Sequence, residues 1–173
     1  MEKVLIVYAS KTGTTQDVAA VLAERTGAAL YDCRANTLVG ADGRQVKQQP
    51  RLADYGVVVI GTAMYIGAPM KEAKRFMKAH NAELTQKPLM LFTCGMGTEE
   101  EDGAYLRKHL PEGVQPRFYR HMGGEIRPER MNGFARMAMK EYEKKHGVRP
   151  SIDWDAVDAL SQEIKANSGG DIS

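Results

Sequence analysis

The sequence predicts one α/β domain, a parallel β-sheet covered by helices on both faces. Three observations predict it. Val4–Tyr8, Val57–Gly61 and Leu89–Thr93 are short runs of nearly continuous apolarity, the pattern of strands buried on both faces. Stretches with a helical period separate them, and parallel neighbours need crossover connections of that kind. At 173 residues, 43% of them hydrophobic and 27% charged, the chain is long enough for one well-buried domain and too short for two.

The elements follow in order. Val4 to Tyr8 form the first strand, and a helix beginning near Thr15 carries Val18, Val21, Leu22 and Arg25 at helical spacing until Gly27 ends it. Ala28 to Cys33 read as the second strand. Arg34 to Asp54, with Gly40, Gly43 and Pro50 and no sustained period, read as a long irregular connection. Val57 to Gly61 form the third strand, and Thr62 to Pro69 a loop. Pro69 suits the first position of a helix that runs to about His80.

Leu89 to Thr93 make the fourth strand, followed by the loop Cys94 to Thr98. The acidic run Glu99 to Asp102 reads as a solvated stretch ahead of a helix from Gly103 to Leu110, where negative charge suits the helix dipole. Arg117 to Met122 are a weaker fifth strand. A methionine-rich amphipathic helix spans Met131 to Lys144, and Asp153 caps a last helix with Trp154, Val157, Leu160 and Ile164 on one face. Residues 1–166 are thus expected to form the single domain and residues 167–173 a frayed tail.

The first loop carries the strongest chemical signal. Ser10, Thr12, Thr14 and Thr15 place four hydroxyls in six residues, Gly13 lets the backbone approach a ligand, and a helix N-terminus points free N–H groups at the same spot. One helix cap needs a single hydroxyl. The surplus points to an anion, with a phosphate held largely by neutral donors and the helix dipole. Neither Gly-x-x-x-x-Gly-Lys-Ser/Thr nor Gly-x-Gly-x-x-Gly occurs here, which excludes a P-loop and a dinucleotide fingerprint. Ala9 and Ser10 stand where a receiver domain would want acidic metal ligands.

Composition narrows the remaining classes. No apolar run reaches the length of a membrane span, and a strand beginning at residue 4 leaves no room for a signal peptide, so a cytoplasmic location is expected. Cys33 and Cys94 form no C-x-x-C pair and suit a reducing compartment; Cys94 reads as a small buried apolar residue. Four scattered histidines suggest no metal site. Between Arg117 and Arg149 there are nine Lys or Arg against four Glu, which leaves the rest of the chain acidic within a total of +2. Such a segment around a methionine-rich helix suits an anionic substrate, a redox partner, an anionic membrane surface met peripherally, or an ordinary solvated face. No aromatic and basic interleaving points to nucleic acid.

Ser10-Lys11-Thr12-Gly13-Thr14-Thr15 resembles the phosphate loop of the flavodoxin superfamily, Ser/Thr-x-Thr-Gly-x-Thr directly after the first strand. The resemblance implies a flavodoxin-like three-layer α/β/α sandwich with a five-stranded parallel sheet in the order 2-1-3-4-5, and FMN as cofactor at the carboxyl ends of the strands. It also implies that Ser10, Lys11, Thr12, Gly13, Thr14 and Thr15 hold the phosphate. Thr62, Ala63, Met64, Tyr65, Ile66 and Gly67 would hold the isoalloxazine together with Cys94, Gly95, Met96 and Gly97, with Tyr65 as the stacking ring.

Ile60 to Gly67, Gly123-Gly124-Glu125-Ile126-Arg127-Pro128, the basic methionine-containing helix and Asp153-Trp154 together resemble the menaquinone-dependent protoporphyrinogen oxidase branch of that superfamily. That branch carries a long basic insertion after the fourth strand, where this chain has the short acidic stretch Gly97 to Gly103. The resemblance implies an FMN-dependent oxidoreductase. The alternative is a flavodoxin-type electron carrier that docks protein partners, although such carriers are usually strongly acidic. A third class would use the loop for a different phosphate ligand.

Overall fold

The computed structural model describes residues 1–125, 127–147 and 150–169. Five parallel strands form the centre of the sheet: β1 (Val4–Ala9), β2 (Ala29–Asp32), β5 (Val57–Tyr65), β7 (Leu89–Cys94) and β8 (Phe118–His121). They lie in the order β2-β1-β5-β7-β8, with β1, β5 and β7 at the centre. This is the expected 2-1-3-4-5 arrangement.

Strict alternation along the central strands divides two cores between the faces. Ile6, Tyr8, Val57, Val59, Met90 and Phe92 pack beneath α1 (Thr14–Thr26) and α6 (Trp154–Ser168), with Val18, Leu22, Val157, Leu160 and Ile164. Leu5, Val7, Val58, Ile60, Leu89 and Leu91 face the other way, toward α2 (Lys71–Ala79), the four-residue α3 (Asn81–Leu84) and α4 (Glu99–His109), which supply Phe76, Met77, Leu84 and Leu106. The continuous apolarity of these strands has its cause here, since neither face meets water. Gly61 belongs to the same packing: a Cβ there would run into the Phe92 ring.

Several boundaries differ from the sequence reading. The segment from Arg34 to Asp54 is not wholly irregular: β3 (Thr37–Val39) and β4 (Gln45–Val46) add antiparallel strands beyond β2, and Leu52–Asp54 form a 3₁₀ turn. Thr62 to Tyr65 are strand rather than loop, because ladder partners continue on both sides, Ala9 opposite Thr62 and Thr93 and Cys94 opposite Thr62 and Ala63. β5 then turns back on β6 (Ala68–Pro69) through Ile66 and Gly67 at φ 50° and 70°. Positive φ at both central positions matches a type I′ hairpin.

Pro69 therefore ends a two-residue edge strand, where a missing N–H is tolerated, and α2 starts at Lys71. The acidic run is also corrected. Glu99 to Asp102 are the first turn of α4, fixed by a capping box between Thr98 and Glu101, because that box satisfies two otherwise orphaned donors. α5 (Gly133–His146) is capped by Asn132 and follows the 3₁₀ turn Pro128–Arg130. Asn167 and Ser168 continue α6 up to Gly169, which caps it in the left-handed region. The remaining tail residues 170–173, with Ile126 of the Gly123–Pro128 stretch and Arg149 of the basic segment, lie outside the described residues.

Candidate functional site

The carboxyl ends of β1, β5 and β7 open on one rim. The first loop leaves β1 and enters α1 with Gly13 at the N-cap, φ 99° and no side-chain cap. Only a residue free of Cβ strain takes that conformation readily. The hydroxyls are therefore not spent on capping. Ser10 Oγ accepts from the Gly13 N–H at 3.0 Å, which tightens the loop. The Thr14 and Thr15 hydroxyls are both buried; Thr14 Oγ1 finds no partner in the protein, which costs free energy, and Thr15 Oγ1 has only the weakly bonding Cys94 thiol beside it.

The second wall is the β5 to β6 hairpin. Tyr65 is 41% exposed, and the Lys11 ammonium of the first loop lies 5.5 Å from its ring centre. Burial pushes the Tyr65 phenol up, while a hydrogen bond with Thr12 and the charge of Arg34 pull it back. Ile66 at the turn tip is fully exposed although its φ is positive, a strained placement for a β-branched residue. The third wall follows β7. Cys94 is buried and its thiol is pushed up to about 12 by that burial, the behaviour of a small core residue. The Gly95 N–H donates to the Gly123 carbonyl at 3.0 Å, and a Cβ at Gly124 would stand 2.6 Å from the Gly95 carbonyl, so these two segments pack backbone to backbone.

Together the walls enclose a cavity of about 610 Å³. Ser10, Lys11, Thr12, Thr14 and Thr15 line it with Ala63, Met64, Tyr65, Ile66, Gly67, Cys94, Gly95, Met96 and Gly97. Gly13 and Thr62 do not. Gly13 turns the loop at its positive φ, and Thr62 is buried, its Oγ1 accepting from the Met70 N–H and donating to the Ala63 carbonyl.

The structure adds walls that sequence reasoning missed. Arg130, Met131, Phe134, Ala135, Ala138 and Met139 bring α5 and its leading turn over the cavity, and Glu101, Asp102 and Tyr105 bring α4 beneath the third loop. Asp102 is buried, with Oδ2 3.1 Å from His121 Nδ1. A helical period could have flagged the inward face of α5, but nothing local says what that face covers. The arginines matter most. Arg130 Nη1 donates to the Thr12 carbonyl at 2.9 Å, and Arg34 Nη1 to the Ser10 carbonyl at 2.6 Å, so the first loop is not held among neutral donors alone. Among the described residues no cluster could hold a metal ion, and no helix is long and apolar enough to cross a membrane.

This sheet order, with a hydroxyl-rich loop at the carboxyl end of β1 and the cavity beside the switch point between β1 and β5, defines a flavodoxin-fold protein. The flavodoxin-domain family model matches residues 5–153, and the chain belongs to that family. None of the curated proteins compared with it matches. Among solved structures, a candidate flavoprotein from Bacteroides eggerthii is 18% identical, with a TM-score of 0.54 over 86% of this chain and 100% of that one. A flavoprotein from Lactobacillus acidophilus, solved in complex with FMN, is 14% identical, with a TM-score of 0.53 over 70% of this chain and 93% of that one. At these identities the likeness speaks for the fold.

Proposed function

We propose that the protein binds FMN, with the phosphate on the first loop and the ring between the β5 to β6 hairpin and the loop after β7, and that it acts as an oxidoreductase on a small organic substrate. The observation that carries the first part is the buried, unpartnered hydroxyl of Thr14, with the buried Thr15 hydroxyl next to it, at one end of a cavity that the two other loops complete. Family membership and the FMN bound by the Lactobacillus flavoprotein agree with it. When bound, FMN supplies the redox chemistry. The chain's own residues hold the phosphate, stack on the ring through Tyr65 and shield it from water beneath α5.

The second part rests on the room beside α5, whose apolar inward face continues the cavity beyond the three loops. The resemblance of the Gly123–Pro128 stretch and the basic helix to menaquinone-dependent protoporphyrinogen oxidases names a flat, carboxylate-bearing tetrapyrrole as the substrate class. Binding would be in the cytoplasm or at a membrane surface met peripherally through α5. The short acidic segment from Gly97 to Gly103, folded here into the capped start of α4, favours the second reading, a carrier that exchanges electrons with protein partners.

Titration of apoprotein with FMN and with riboflavin tests the cofactor. FMN is expected to bind much the more tightly, because the phosphate meets the loop; Thr12→Val with Thr14→Val should erase most of the difference, each lost charge-assisted bond being worth about 1.5–3 kcal/mol. Indistinguishable curves for the two flavins in the parent protein would refute the assignment of the loop.

A further inference from the structure

We propose that Arg130, on the turn leading into α5, completes the anion site, with Arg127 as a positioning residue that neutralises Asp17 next to it, and that the pair makes the protein selective for a terminal phosphate monoester. The proposal deepens the FMN reading and rests on it. The loop brings its own donors: α1 has no side-chain cap, its first turn leaves backbone N–H groups without intrahelical partners, and the buried Thr14 hydroxyl is unpartnered beside them. Arg130 adds a guanidinium to the cavity wall, and Arg127 stands next to it without lining the cavity. A Cβ placed on Gly13 would run into the Arg130 guanidinium and stand 2.8 Å from Arg127 Nη1, so both cations lie against the loop's glycine.

Each arginine is already oriented. Arg130 is tied to the Thr12 carbonyl at 2.9 Å. Arg127, with a side chain only 13% exposed, is paired with the carboxylates of Asp17 and Glu125. Asp17 sits in the first turn of α1, where its charge would repel an incoming phosphate. Arg127 neutralises that carboxylate, and Arg130 supplies the positive charge left over for the ligand. A guanidinium matches phosphate oxygens with a fixed fork of donors that an ammonium lacks. Because Asn132 caps α5 two residues after Arg130, a phosphate gripped here also holds α5 over the ring end of the cavity.

The test compares the parent with Arg130→Gln, Arg130→Lys and Arg127→Gln with Arg130→Gln, each titrated with FMN and with riboflavin while flavin fluorescence is followed, and each checked for an unchanged urea midpoint. Loss of FMN affinity by roughly ten- to a hundredfold in Arg130→Gln, a larger loss in the double variant, partial rescue by lysine and unchanged riboflavin binding are expected. Hydrogen exchange supplies a readout that a purely structural role would not move. Residues 127–146 should be protected by FMN in the parent and left open by riboflavin. Variants that keep the parent's preference for FMN, or that lose FMN and riboflavin affinity equally, would overturn the clamp while leaving the cofactor reading intact. A parent that binds neither flavin would overturn both.

Discussion

Cys94 closes β7 on the cavity floor, and its environment sets how the protein responds to alkali. Burial holds the Cys94 thiol at about 12, against an ordinary value of 9. Burial, then the Asp32 carboxylate, does the same to Cys33, and burial raises the Tyr119 phenol to about 12. In each case the folded protein keeps a proton that the unfolded chain gives up. Stability is therefore complete below about pH 9 and falls as pH rises toward 12, by about 1.4 kcal/mol per pH unit for each thiol once the unfolded form ionises. Urea midpoints measured at pH 8, 9, 10 and 10.5 should decline with increasing slope, and Cys94→Ala should flatten that decline; a level profile in the parent would show that neither thiol is shielded. The sequence made Cys94 legible as a core residue, because it ends an apolar run. Asp102 was not legible, since only the fold places His121 beside it.

At the scale of elements, what was legible depended on whether a single local signal was opposed by tertiary pairing. Strand cores with unbroken apolarity stood out, and so did helices with a clear cap, such as the last one behind Asp153. Ends decided by neighbours did not. β5 runs on to Tyr65 because ladders on both sides and a hairpin extend it past the last strongly apolar residue, and Pro69 pairs in that hairpin instead of opening a helix. The acidic run looked like solvent-facing loop, yet Thr98 and Glu101 have the spacing of a capping box and draw it into α4. Thr98→Ala should lower stability by about 1 kcal/mol, read from urea unfolding of the apoprotein. Because the same turn sets Asp102 beneath Gly95 and Gly97, where a Cβ on Gly97 would stand 2.5 Å from Oδ1, the substitution should also weaken FMN binding. A stability loss with FMN affinity unchanged would mean that the third loop keeps its shape without the cap.

The whole molecule brings together segments that no window of sequence contains. Three loops after three strands could be placed on one rim from topology alone, whereas the contact of Arg130 with Thr12 crosses 118 residues and was invisible as anything but an excess of basic charge. The same distance hid the role of α5, none of whose residues is fully buried. Met131 and Met139 turn inward to line the cavity, while Met137 is 65% exposed and Phe134, at the cavity's edge, 79% exposed. An apolar outer surface on a helix that ends in Lys144, Lys145 and His146 is costly unless something meets it. If that partner is an apolar, anionic substrate or a membrane surface, Met137→Glu should abolish turnover of protoporphyrinogen IX with a quinone while FMN stays bound. An electron carrier would tolerate Met137→Glu and respond instead to Lys144→Glu, through a slower and less salt-dependent association with its partner. Anaerobic mixing of the oxidised holoprotein with protoporphyrinogen IX decides between them. Bleaching of the flavin in the parent, lost in Met137→Glu, is the expected result; no bleaching, alongside rapid reduction by a ferredoxin-type reductase, would assign the exposed face of α5 to a protein partner.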